Sequence, residues 1–196
     1  MLYFNSLKFI FVEYNNKLSF DKLGITDCIN YSGKAIETVL FENHTYKYPC
    51  DVLLNGVEIG EKLLCNPLTI DKKIMNIYDS KNIIRVSQGY TKCNACVITN
   101  NALITEDEGI FIACRNNSID CLKLESHSVK LDGYDYGFIG GASGKISKEI
   151  IAFCGDIDKH PEFDKIYSFC KNHGVNPISL SSDPLYDYGS IIAVGL

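Results

Sequence analysis

The sequence has no tryptophan, no run of lysine and arginine, and only a short apolar stretch near its N-terminus. Without a basic run there is no electrostatic footprint for nucleic acid, and a net charge of −5 disfavours binding to anionic membranes. The apolar stretch LKFIFV has six residues before Glu13, too few for a signal-peptide core or a membrane span. We therefore predict a cytoplasmic protein with no nucleic-acid or membrane partner.

The sequence does contain enough apolar material for one full core. Hydrophobic residues make up 46% of the 196 residues, and 12 Tyr and 10 Phe supply the bulk that tryptophan would otherwise give. A chain of this length is typical of one domain, so residues 1–196 are assigned to a single domain. Nothing in the composition indicates an oligomeric state.

Nine cysteines are present, an odd number. We interpret most of them as reduced thiols that pack as small hydrophobic groups. Cys93 and Cys96 have the spacing of a zinc knuckle, but no second cysteine pair completes such a site. Residues three apart on a strand also face opposite sides. The sequence therefore predicts no metal and no cofactor.

The tetrapeptide YDYG occurs twice, at Tyr134–Gly137 and at Tyr186–Gly189. Tyr48 and Tyr90 begin similar segments, and each of the four tyrosines is followed by an apolar run of strand type. A turn, a helical pattern and a short strand follow in the first three segments. This order predicts a repeated β-β-α-β unit in which the tyrosines occupy equivalent positions.

Turn and capping residues set the expected boundaries within each unit. Hairpin turns are predicted at Asn55-Gly56, at Asn100-Asn101 and in the glycine-rich stretch GGASGK. Helices are predicted to start at Thr69, at Thr105 and at Pro161. The strand within residues 7–12 is predicted to pair with the last strand, within residues 190–194, so that neither leaves an apolar edge open.

Four segments together resemble a known family: QGYTKCNACVI, GYDYGFIGGASGKI, GDIDKHP and the terminal DYGSII. They are similar to a bacterial family that is described by the fold of guanidine-modifying enzymes, the pentein or α/β-propeller fold. The resemblance extends from about Tyr48 to the end of the chain. It implies a pseudo-symmetric α/β propeller of β-β-α-β units, one unit short of the usual five if only four helices form. It implies no established activity.

Enzymes of that fold use a cysteine nucleophile in the last unit, a histidine followed closely by an acidic residue, and carboxylates that hold the guanidinium. Here the last unit has Ser190 and no cysteine, and only His160 is followed two residues later by an acid, Glu162. We interpret this pair as part of a helix cap. The usual Cys-His-acid triad is therefore expected to be absent.

Carboxylates recur at equivalent positions of the repeat units. The symmetry predicts that these positions face one shared region around the axis. The residues predicted to form or border the region are Asp51, Lys92, Cys93, Asn94, Asp135, Ser143, Asp187 and Ser190. Carboxylates clustered there would bind a cation such as a guanidinium, or some would have a raised pKa. Alternatively, each aspartate caps a local turn through backbone N–H groups.

Cys93 is the one catalytic candidate among these residues, because the neighbouring Lys92 would favour its thiolate. The alternative is that Cys93 has a structural role. Two functions therefore remain open. The protein binds or acts on a small cationic, guanidine-like ligand in an axial pocket, or it is a non-catalytic binding or interaction module that has lost the enzyme triad.

Overall fold

The structure is a computed structural model that describes residues 2–4, 9–13, 37–41 and 47–191. The strands in chain order are β1 (Leu2–Phe4), β2 (Phe9–Glu13), β3 (Glu37–Phe41), β4 (Val57–Ile59), β5 (Lys62–Cys65), β6 (Ile83–Arg85), β7 (Ala95–Thr99), β8 (Ala102–Thr105), β9 (Asp120–Lys123), β10 (Ser143–Lys145), β11 (Ile150–Phe153) and β12 (Asn176–Ser179). The helices are α1 (Lys72–Met75), α2 (Thr91–Asn94), α3 (Glu108–Asn116) and α4 (Phe163–Asn172).

The described strands form four sheets of three strands, and all four are built in the same way. The first two strands form an antiparallel hairpin, and the third pairs parallel with the second. In the last three sheets α1, α3 or α4 lies in the crossover that a parallel pairing needs. The fold is therefore mixed α/β, and the predicted β-β-α-β order is confirmed for these three sheets.

The first strands of successive sheets lie side by side. β7 contacts both β4 and β10, and the Lys145 ammonium in β10 donates to the carbonyl of Ile98 in β7 at 3.0 Å. On the other side of β10, the N–H of Ile191 donates to the carbonyl of Ser143 at 3.1 Å. The segments that lead into these strands are thereby brought next to one another.

Two of the three predicted hairpin turns are wrong. β4 and β5 turn at Gly60, whose φ of +61° favours glycine, whereas Asn55-Gly56 precedes β4. The glycine-rich stretch already contains strand β10, so residues 146–149 make the turn to β11. The Asn100-Asn101 turn between β7 and β8 is confirmed.

Aspartates begin two of the helices, in place of the predicted threonines. Asp71 caps α1 by accepting the N–H of Lys73 at 2.7 Å. Asp107 caps α3 by accepting the N–H of Ile110 at 2.8 Å. A carboxylate is a strong acceptor at this position and is favoured by the helix dipole. The third predicted helix is α4. It follows Pro161 as predicted and ends just before Gly174, whose φ is +70°.

Each long helix buries an apolar stripe against the sheets. In α4 the stripe is Ile166 and Cys170, which belong to the same buried cluster as Phe153 of β11. In α3 it is Ile110 and Cys114, which pack in a second cluster with residues of β4, β5 and β8. This spacing of three or four residues is the helical period of the sequence pattern. The eight cysteines among residues 47–191 are free thiols.

The N-terminal sheet differs from the predicted arrangement. The predicted strand is confirmed as β2, but both of its edges are occupied, by β1 and by β3. A strand has two edges, so β2 cannot also pair with the C-terminal strand as predicted. Residues 192–194 of that strand lie outside the described part of the chain. The sequence also predicts a helix at LSFDKLG and a strand at DCINY after β2, and both of these segments lie outside the described part as well. No helix in the described ranges is long and apolar enough to span a membrane.

Candidate functional site

The site is assembled where the segments before β4 and β7 meet. Asn55 precedes β4, and its side-chain oxygen accepts the N–H groups of Lys92 and Cys93 at 2.7 and 3.3 Å. Its amide nitrogen donates to the Cys93 sulfur at 3.4 Å. The one-turn helix α2 is thus joined to the preceding repeat through its backbone and the Cys93 sulfur.

Lys92 reaches from α2 to the C-terminal segment. Its ammonium donates to the Ser190 hydroxyl at 2.8 Å, and that hydroxyl donates in turn to the Gly140 carbonyl at 2.9 Å. Burial lowers the pKa of Lys92, against the opposing effect of Cys93, Cys96 and the Asp187 carboxylate. A half-buried cation therefore lies between three segments that are far apart in the sequence.

Asp187 is buried and is held by backbone amides. Its carboxylate oxygens accept the N–H of Phe138 at 3.0 Å and the N–H of Gly189 at 2.8 Å. Gly137 packs against it so closely that a Cβ there would lie 2.6 Å from the Asp187 Cβ. The two YDYG segments therefore touch one another, and Asp187 binds one local N–H, that of Gly189, and one N–H next to the other segment, that of Phe138.

Cys93 is half-buried, and its thiol is not activated in the way that the sequence suggested. Burial raises the pKa of Cys93, and the Asp187 carboxylate adds to the rise. The hydrogen bond from Asn55 and the charge of Lys92 lower the pKa, but burial is the largest influence. The predicted lowering of the pKa by Lys92 is therefore outweighed, because the sulfur lies in a site that penalises its charged form.

The other predicted residues have separate surroundings. Asp51 accepts the phenolic hydrogen of Tyr90 at 2.6 Å, and this bond raises the pKa of Tyr90. Asp135 lies in the exposed turn 132–136 and is not buried as Asp187 is. Asn94 is buried and donates to the carbonyl of Tyr90 at 3.2 Å. Ser143 is buried and donates to the carbonyl of Ile139 at 2.7 Å.

The structure thus brings Lys92, Cys93, Asp187 and Ser190 together. The three predicted aspartates have different surroundings: Asp187 is bonded to backbone amides, Asp51 is bonded to a phenol, and Asp135 is exposed. No group of three or more histidine, cysteine or acidic side chains suited to a metal ion occurs among the residues that the structure describes.

A family model described as "Family of unknown function (DUF6873)" matches residues 27–192. The chain belongs to this family. No curated protein matches the sequence. Among solved structures, the DUF6873 chain is similar to an agmatine deiminase from C. jejuni, with 12% identity and a TM-score of 0.52 over 88% of this chain. The chain spans 60% of the length of that enzyme, and the likeness concerns the fold alone.

Sequence reasoning missed Asn55 in this DUF6873 protein, because Asn-Gly was interpreted as a hairpin turn. Asn55, Cys93 and Gly141 each stand two residues before the first strand of their sheets. Aligning the repeats on the strand starts, and not on the tyrosines, would have placed Asn55 beside Cys93. The buried Glu106 was also missed, because the prediction assigned no function to residues that follow β8.

Proposed function

We propose that this DUF6873 protein binds a small cationic, guanidine-like molecule at Lys92, Cys93, Asp187 and Ser190, on a pseudo-symmetric α/β-propeller scaffold of the pentein type. The observation that carries the proposal is the hydrogen bond between Lys92 and Ser190, which lie 98 positions apart in the sequence. The contact brings polar groups from separate segments together at one place, and a few convergent polar groups are what orient a small ligand in its site. The side-by-side first strands and the similarity to a deiminase support the ring.

The charge balance near the site favours a cation. The Asp187 carboxylate acts by charge on both Lys92 and Cys93, and the Asp51 carboxylate is bonded to Tyr90, two residues before Lys92. Burial lowers the pKa of Lys92, and the Asp187 carboxylate opposes that effect. A guanidinium would bring planar N–H donors to the carboxylate oxygens.

A second candidate is binding without chemistry. Both oxygens of Asp187 are already used by backbone amides, and the pKa of the Cys93 thiol is raised. These two observations argue against a resting thiolate next to a free carboxylate, which hydrolysis of a guanidinium to a ureido group and ammonia would require. They favour a binding or interaction module on the same scaffold.

Binding is tested by isothermal titration calorimetry with agmatine and methylguanidine, at pH 7.5. We expect Asp187→Asn to weaken binding about tenfold, because a charge partner is lost, and the exposed control Asp135→Asn, at the matching position of the other YDYG segment, to leave it unchanged. If neither compound gives a heat of binding at millimolar concentration, the proposal is contradicted. Ammonia release that disappears in Cys93→Ser would identify an enzyme, and binding without ammonia release would identify a binding module.

A further inference from the structure

A second polar cluster lies just after β8, at Glu106. Its side chain is 0% exposed, and one carboxylate oxygen, Oε2, accepts the N–H of Ile139 at 3.1 Å. The other oxygen, Oε1, is buried and has no hydrogen-bond partner within the described part of the chain. A buried acceptor without a partner costs free energy, so its retention calls for a physical explanation.

His127 faces that oxygen from the other side. Its Nδ1 lies 3.7 Å from Oε1 of Glu106, which is within ion-pair range but too long for a hydrogen bond. The imidazole is 42% exposed and stacks on the Tyr136 ring at a centroid distance of 4.2 Å. A small movement of a half-exposed ring is therefore enough to open or close the contact.

We propose that Glu106 and His127 form a proton-controlled latch, in which the imidazole closes onto Oε1 when the Glu106 carboxyl is ionised and releases it when that carboxyl is protonated. In the closed latch the Nδ1–H of His127 donates to Oε1 of Glu106. The latch joins the end of β8 to the long segment before β10. No residue of the candidate ligand site takes part in it directly.

The charges around Glu106 set the pH range in which the latch works. Burial raises the pKa of Glu106 to about 7, the N–H of Ile139 opposes the rise, and the carboxylates of Asp187 and Glu162 add to it. Glu162 also accepts the N–H groups of Glu125 and Ser126, and it pairs with Lys165 at 2.7 Å. The buried Cys96 thiol is also close enough to Glu106 to interact by charge, and burial raises its pKa to about 11, so it stays neutral.

The latch is connected to the ligand site by three consecutive residues. Glu106 holds the N–H of Ile139, Asp187 holds the N–H of Phe138, and the carbonyl of Gly140 accepts from Ser190. A shift of this segment on protonation of Glu106 would be transmitted to the hydroxyl that Lys92 contacts. Any effect on ligand affinity rests on the function proposed above, but the latch itself does not.

The latch is tested by following the backbone amide of Ile139 by NMR between pH 5 and 9, without ligand. We expect its resonance to titrate in the wild type with a midpoint near 7, since this N–H binds the ionising carboxyl. His127→Gln should raise that midpoint by about half a pH unit or more, because the imidazole N–H that favours the carboxylate is removed. Glu106→Gln should abolish the transition.

The matched control is His173→Gln, which removes the imidazole of another histidine–carboxylate pair, with Asp120 at 2.9 Å. It should leave the Ile139 midpoint where it is. The latch is rejected if the Ile139 amide does not titrate, or if His127→Gln and His173→Gln give the same midpoint. If Glu106→Gln does not fold, the wild type and the His127 variant still decide the question, and neither outcome depends on whether a guanidine ligand binds.

Discussion

The Asp187 carboxylate lies so close to the α-carbon of Gly141 that a Cβ on Gly141 would overlap its oxygens. The N–H of Gly141 donates at the same time to the carbonyl of Cys93, at 2.9 Å. Gly141 is therefore the spacer between the backbone of the α2 turn and the buried carboxylate. The glycine is needed here for its lack of a side chain and not for an unusual φ.

Gly141→Ala should destabilise the protein by about 2 kcal/mol or more, because the added methyl group forces apart two fixed groups in a packed region. Urea unfolding followed by circular dichroism measures the change. In the Asp187→Ala background the same substitution should cost much less, since the atoms it meets are gone. Additive effects of the two substitutions would show that Gly141 and Asp187 are not in contact.

Cys93 and Cys96 should differ in their reaction with iodoacetamide in the native protein. Cys93 is half-buried, whereas Cys96 is buried and burial raises its pKa to about 11. We expect mass spectrometry to find Cys93 labelled first, at a rate that rises about tenfold for each pH unit from 7 to 9, since the thiolate is the reacting form.

The pH dependence of that labelling separates the two functions. A rate that is already constant below pH 8 would mean that Cys93 is ionised at neutral pH, contrary to the raised pKa. It would favour the enzyme over the binding module. Equal protection of Cys93 and Cys96 would mean that the thiol is inaccessible, and it would remove Cys93 as a nucleophile.

The repeat could be predicted from the sequence because it follows from local patterns. Helical periods such as Ile166–Cys170 and the Asn100-Asn101 turn depend on neighbouring residues, and both are confirmed. The site could not be predicted to the same extent, because it depends on contacts between repeats. Identical YDYG segments place Asp187 on buried amides and Asp135 in solvent, and no local pattern distinguishes the two.

The helix caps show a smaller failure of the same kind. Thr105 and Glu108 match a capping box, but Asp107 lies between them and accepts both the N–H of Ile110 and, at 3.0 Å, the side-chain amide of Gln88. The second bond comes from the segment before α2 and is invisible in the local sequence. This hydrogen bond from Gln88 helps to place the start of the helix at Asp107.

Asp107→Ala should therefore cost about 1–2 kcal/mol of unfolding free energy, through loss of the α3 cap and of the bond to Gln88. Glu108→Gln serves as the control, because Glu108 is exposed and pairs with Lys123 on the surface. It should change stability by less than about half a kcal/mol. If the control proves the more harmful of the two, the capping box predicted from the sequence is correct after all.

Stability should depend on pH through Glu106, whose pKa burial raises from 4.5 to about 7. The folded state binds this proton more tightly than the unfolded state, so the contribution is fully present below pH 4.5 and is lost as the pH rises through about 7. Glutamine keeps the shape and an oxygen for the Ile139 amide but cannot ionise. The free energy of unfolding of Glu106→Gln should therefore rise by about 2 kcal/mol relative to that of the wild type between pH 5 and pH 8.

Urea unfolding at the two pH values measures this difference, with Glu108→Gln as a variant that should show none. An equal pH response in wild type and Glu106→Gln would mean that the carboxyl is ionised at low cost, and that water or a cation reaches Oε1.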